Sequence, residues 1–212
     1  VMGGLLMVEA TAVAEEAAPR NLLRNASLKT AANPGFPDYW GGQSGWREKT
    51  HELVADAFVP GTMSMKLSNH DGKKVVFSTG NYGWSPGTDG TVYTFSVYLK
   101  SDPPGLDATI GSDRLERKSV EPEGGWKLFT VTAPLKPRKG YMGRFLPVEI
   151  ELLKGKTGTL SVNAPVLVRG DVPVDYRAAT PEPGKPAAAE KKTGPIRAAL
   201  VGEWVLGRRP SG

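Results

Sequence analysis

Between residues 21 and 177 the chain never keeps a helical period for more than ten residues. It is cut instead into short alternating or β-rich runs: 21–28 (NLLRNASL), 63–68, 73–79, 91–100, 126–133, 144–153 and 158–168, with a less regular extended piece around 46–59. The clusters NHDG, SPGTDG, SDPPG, EPEGG and KGKTG separate them. Alternation with period two makes strands, and Gly/Pro/Asp clusters make the turns between them. Seven or eight strands in such a span predict an all-β, two-sheet antiparallel β-sandwich of the jelly-roll or Greek-key kind. The 26 glycines and 18 prolines in 212 residues fit short elements better than long helices.

The run TVYTFSVYLKSD (91–102) shows the pattern best. Tyr93, Phe95, Val97 and Leu99 point one way and form a core face; Thr94, Ser96, Tyr98 and Lys100 point the other. VEIELL behaves alike, with Val148, Ile150 and Leu152 opposed to Glu149 and Glu151. Two readings of these polar faces stand side by side. One is a floor of hydrogen-bonding groups for a polyhydroxylated ligand; the other is a solvated face with cross-strand charge pairs. If the two strands share a sheet, Lys100 also balances one of the glutamates.

Composition excludes several chemistries. With no cysteine there is no disulfide framework, thiolate metal site or thiol nucleophile. The net charge of +5 is spread along the chain, without the clustered footprint of a nucleic-acid binder. His51 and His70 show no metal-ligand spacing, and NHDG reads as a hairpin turn. No nucleophile elbow or phosphate loop is present. Glu149 and Glu151, neighbours on one strand face, point the same way, whereas glycosidase acids flank a bond from opposite sides. The sequon Asn25-Ala26-Ser27 falls inside the expected opening strand and is read as coincidental.

Outside 21–177 the composition changes. Residues 1–20 hold a short apolar run and an Ala12-Val13-Ala14 motif, which reads as the remnant of a secretory signal. Residues 178–195 are rich in Pro, Ala and Lys and predict a linker able to span roughly 50 Å. Residues 196–212 turn apolar again, as the start of a further domain would. No run reaches the length of a membrane-spanning helix.

Several landmarks occur in a telling order: NLLRNASL, NPGFPDYW, GTMSMKLS, TVYTFSVYLKSD, GGWKLFTVTAPL and GTLSVNAPVLVRGDVPVDY. This set resembles the family four/nine type of carbohydrate-binding module, in the galactose-binding-like superfamily. That resemblance implies a sandwich that binds polysaccharide or oligosaccharide without cleaving it, in a secreted or cell-surface bacterial protein. It also implies tethering to the catalytic domain of a glycoside hydrolase in the same chain. Many relatives hold a structural calcium through a Glu and an Asp whose places here read Lys29 and Asn163. An ammonium and an amide are poor substitutes for two carboxylates, so no cofactor is expected, with Lys29 donating to Asn163 in place of the ion.

A sugar site needs an aromatic platform and convergent polar groups. Trp46, Tyr82 and Trp84 stand in glycine-rich loops beside the amides Gln43 and Asn81. With Tyr98, Lys100, Glu149 and Glu151 they form the expected carbohydrate-binding set. Trp40, Tyr93 and Trp126 are expected to pack in the body, while Tyr141 and Phe145 fit either role. The alternative to sugar binding is a structural or protein-interaction sandwich that spaces its neighbours; buried loop rings would favour it.

Overall fold

A computed structural model describes residues 19–32, 35, 37–41, 49–79 and 84–179. The expected signal remnant, most of the expected linker, the following segment, and Gln43, Trp46, Asn81 and Tyr82 lie outside the described residues.

Among the described residues, twelve strands build two five-stranded antiparallel sheets and a small ribbon. The first sheet runs β1 (Trp40–Gly41), β4 (Val75–Thr79), β11 (Glu149–Leu152), β7 (Ala108–Ser112), β8 (Glu116–Val120). The second runs β2 (His51–Val54), β3 (Ser64–Asn69), β12 (Gly158–Arg169), β6 (Val92–Asp102), β9 (Lys127–Pro134). β5 (Ser85–Pro86) pairs with β10 (Phe145–Leu146). Apolar residues from both sheets meet in one core, with Phe77, Ile110 and Ile150 on one side and Met65, Phe95, Val97, Leu99 and Val162 on the other. The all-β sandwich is as expected, and Tyr93, Phe95, Val97 and Leu99 all point into it without measurable exposure.

The opening run 21–28 is not a strand. Leu22 N–H donates to the Leu167 carbonyl, and the chain then curls through a turn with positive φ at Asn25 and Leu28. Asn25 accounts for this. Its amide nitrogen donates to the Thr30 and Asp38 carbonyls and its oxygen accepts from Thr30 N–H, local bonds that outcompete a ladder. The turn leaves Leu23, Ala26 and Leu28 as a buried plug. NHDG is no hairpin either, because β3 and β4 belong to different sheets and the turn carries the chain between them. β7 and β8 were not expected: ATIGS is short and holds a glycine, and all but the last residue of ERKSV are exposed.

At the middle of β12 the pairing to β6 slips between Asn163 and Val166. Ala164, at φ 47°, and Pro165 form the irregularity, as a bulge accommodates a residue that cannot donate. Asn21 clamps it, donating to the Pro165 carbonyl and accepting from Leu167 N–H. The slip keeps Val162 and Leu167 in the core while turning Val166 and Val168 outward.

Arg114, 2% exposed, closes one end of the sandwich. Its guanidinium donates to the main-chain carbonyls of Lys136, Gly143 and Phe145 and pairs with Asp89.

Candidate functional site

The outer face of the second sheet is divided in two. Toward the far end of β6, Thr94 bonds Thr132 and Ser96 bonds Thr130, both on β9. A strap, residues 171–179, follows β12 over this half: Val174 packs with Val166 and Val168, and Tyr176 reaches both this cluster and the one around Tyr98. Thr94, Ser96 and Tyr98 are therefore buried, so these three do not form the open polar face that alternation suggested. The Tyr98 hydroxyl donates to the Asp175 carboxylate. Burial and this carboxylate push the Tyr98 phenol up to about 12. Burial pulls the Asp175 carboxyl upward too, but the Tyr98 hydroxyl, the Arg177 N–H and the Arg177 charge outweigh it and hold the carboxyl below its ordinary range.

The other half is open. Register places Glu52, Lys66, Ser161 and Lys100 directly opposite one another on β2, β3, β12 and β6. Trp126, one residue before β9, continues the row, with the Lys100 Nζ 4.9 Å from its ring centroid. At about 4.8 Å between strands, these five positions span roughly 19 Å. A cleft of about 560 Å³ lies here, lined among others by Asp56, Lys66, Lys100, Asp102, Thr159 and Ser161. Lys100 pairs with Asp56, and Lys66 stands 3.9 Å from Glu52. The cleft thus offers two ammonium groups, carboxylates and hydroxyls, with the partly buried Trp126 indole beside it against Lys100. Such a set gives and accepts hydrogen bonds beside an apolar ring, as a polyhydroxylated ligand requires.

The other expected residues lie elsewhere. Trp84 is half-buried; its Nε1 donates to the Thr79 carbonyl and its ring sits 5.7 Å from Phe145. Glu149 and Glu151 are on the outer face of the first sheet, so Lys100 cannot balance them. Arg117 does, reaching Glu149, Glu151 at 3.0 Å and Asp113 at 2.8 Å. Lys74 also reaches Glu151 at 3.0 Å, and Thr109 donates to it at 3.2 Å. Burial works against the Arg117 charge, but Asp113, Glu149 and Glu151 more than offset it and hold its proton more tightly than usual.

Lys29 does not donate to Asn163 as expected; it is exposed. The Asn163 amide is held by the 59–63 loop, donating to the Thr62 Oγ1 and Met63 carbonyl and accepting from Val59 N–H. That bonding uses both amide hydrogens and engages the oxygen, and with an exposed ammonium at the other position the pair does not suit calcium. Trp126 packs as expected, against the cluster of Val59, Tyr98 and Ala164, and also brings its ring beside Lys100, because WKLFT alternates and sets Trp126, Leu128 and Thr130 on one face. Asp56, Lys66, Thr159 and Ser161 carried no signal of their own; only strand register brings them together.

No family model matches the sequence, and no curated protein matches it. Solved structures do. An arabinose-bound α-L-arabinofuranosidase of family GH51 is similar at TM-score 0.53 and 15% identity, over 74% of this chain and 28% of the enzyme. A candidate sugar-binding protein from Bacteroides thetaiotaomicron VPI-5482 is similar at TM-score 0.50 and 11% identity, over 71% of this chain and 100% of that one. A family 61 carbohydrate-binding module in complex with β-1,4-galactotriose gives TM-score 0.49 and 18% identity, over 71% and 99% of the two chains. At these identities the likeness is one of fold.

Proposed function

We propose that this chain is a carbohydrate-binding module whose ligand lies across the strands of the second sheet, along the row from Glu52 to Trp126 and in the cleft beside it. The observation that carries this reading is the row itself: an indole, an ammonium, a hydroxyl and a second ion pair in register on adjacent strands. A sugar ring stacks its C–H face on an indole and bonds its hydroxyls to the polar neighbours. Because β2 and β9 are both edge strands, a polymer can enter and leave at either side, which suits the interior of a chain.

The role is binding, not cleavage. Glu149 and Glu151, the neighbouring acids that hydrolysis would call on, sit side by side on one strand of the first sheet, both held by Arg117 and Glu151 by Lys74 as well. The module belongs to an exported or surface protein and serves a glycoside hydrolase in the same chain, raising its local concentration on polysaccharide. Affinity is of micromolar order, as for an open site with few aromatic contacts.

Affinity electrophoresis on a panel of neutral and acidic polysaccharides tests this. Wild type is retarded by at least one polymer; Trp126→Ala loses the retardation and Lys100→Ala weakens it. Absence of retardation on every polymer favours the spacer reading, which the sealed half of the second sheet also supports.

A further inference from the structure

The strap and the cleft touch the same loop. Residues 55–62 leave β2 at the cleft, and Asp56, near the start of this loop, pairs with Lys100 in the cleft wall. Two residues on, the Phe58 ring lies 4.4 Å from the Tyr98 ring, and the Arg177 guanidinium sits 5.5 Å from the Phe58 centroid on its other contact. The next residue, Val59, is buried and donates its N–H to Asn163. Phe58 itself is 38% exposed, with the Tyr98 ring and the Arg177 guanidinium against it.

The strap is in turn fixed by Asp175. One carboxylate oxygen accepts from the Tyr98 hydroxyl, the other from Arg177 N–H at 2.8 Å, and its carbonyl accepts from the N–H groups of Ala178 and Ala179. Asp175 thus orders the turn that presents Arg177 and ties that turn to the strand two residues from Lys100.

We propose that Asp175 and Arg177 are positioning residues for the cleft: the strap, clamping Phe58 against Tyr98, holds the loop that carries Asp56. The inference rests on the cleft reading for its link to glycan, but the mechanical half does not. The segment that leaves the module at its C-terminal side therefore sets the shape of the ligand-facing wall, although it contributes no side chain to the cleft lining.

Amide hydrogen exchange reads the clamp directly, because the Val59 N–H is protected by one side-chain oxygen. In Arg177→Ala and Asp175→Ala, exchange at Val59 rises about two- to fivefold, the factor a lost cation–π contact supplies. Core amides of β3, β6 and β12 keep their rates, and Arg177→Lys restores protection. For a polysaccharide that retards wild type, the dissociation constant rises by the same factor and is rescued by the same lysine. Unchanged exchange at Val59 in both alanine variants overturns the clamp. Faster exchange with unaltered affinity overturns its link to the cleft. A wild type that binds no glycan removes the cleft reading and the inferred link with it, and the Val59 rates alone then decide whether the strap holds the loop.

Discussion

Lys100 and Trp126 meet at the edge of the second sheet, the ammonium 4.9 Å from the indole centroid, while the same ammonium pairs with Asp56. The cation therefore shares one face of the ring with whatever stacks there, and Asp56 gives it a second place to rest. Ring and cation are neighbours because β6 and β9 pair here, and the loop after β2 brings the Asp56 carboxylate to the same ammonium.

Trp126→Ala lowers glycan affinity by about tenfold or more, since a stacked aromatic contributes on the order of 1 kcal/mol beyond the area it buries. Lys100→Ala lowers it by about threefold, and its surface ion pair adds under about 1 kcal/mol to folding. Calorimetric titration with an oligosaccharide, beside thermal unfolding of each variant, separates the two effects.

Arg117→Ala leaves Glu149 and Glu151 side by side without their shared cation, with Lys74 and Thr109 still on Glu151. Glu151 is buried and Arg117 half-exposed, so the expected loss is about 1–2 kcal/mol, between a surface and a buried pair. Urea denaturation measures it. Glycan binding stays unchanged, because this network is on the other sheet.

The Tyr98–Asp175 contact makes the strap sensitive at both ends of the pH scale. Asp175 is depressed in the folded protein, so its contribution is present above the unfolded carboxyl value and is lost as pH falls through the folded one. Tyr98 is raised to about 12, so its contribution is complete below the unfolded value of 10.0 and is lost as pH rises toward 12. Absorbance at 295 nm shows one tyrosine of wild type ionising late. In Asp175→Ala that tyrosine titrates earlier.

Arg114→Lys keeps the charge but not the fork, and leaves part-buried carbonyls of Lys136, Gly143 or Phe145 without their donor. A cost of about 3 kcal/mol is expected from guanidinium denaturation. A fall of less than about 0.5 kcal/mol means water replaces the lost donors.

The core was legible because burial imposes period two on Tyr93 to Leu99 and on Val148 to Leu152. The opening turn was not, because NLLRNASL has a strand's composition and only the bonds of Asn25 to Thr30 and Asp38 reveal the curl. The polar side of β6 was misjudged for a related reason. Alternation tells that Thr94, Ser96 and Tyr98 point away from the core, but not that residues eighty positions later come back to cover them. The cleft depends on four strands in register, a property of pairing that no single stretch carries. Trp126 packs as tryptophan usually does, against Val59, Tyr98 and Ala164, but the part of its ring left uncovered beside Lys100 follows only from the pairing.

Arg114 grips its surroundings almost wholly through main-chain oxygen. A carbonyl is the same whatever residue bears it, so the side chains at Lys136, Gly143 and Phe145 are not what the guanidinium recognises. The rim at that end can be rewritten in sequence, provided that the path of its backbone is kept. Gly143 sets the limit, since a Cβ there would stand 1.9 Å from the Arg138 carbonyl oxygen. Variation among chains of this shape should therefore gather in those loops, around one invariant arginine and one glycine.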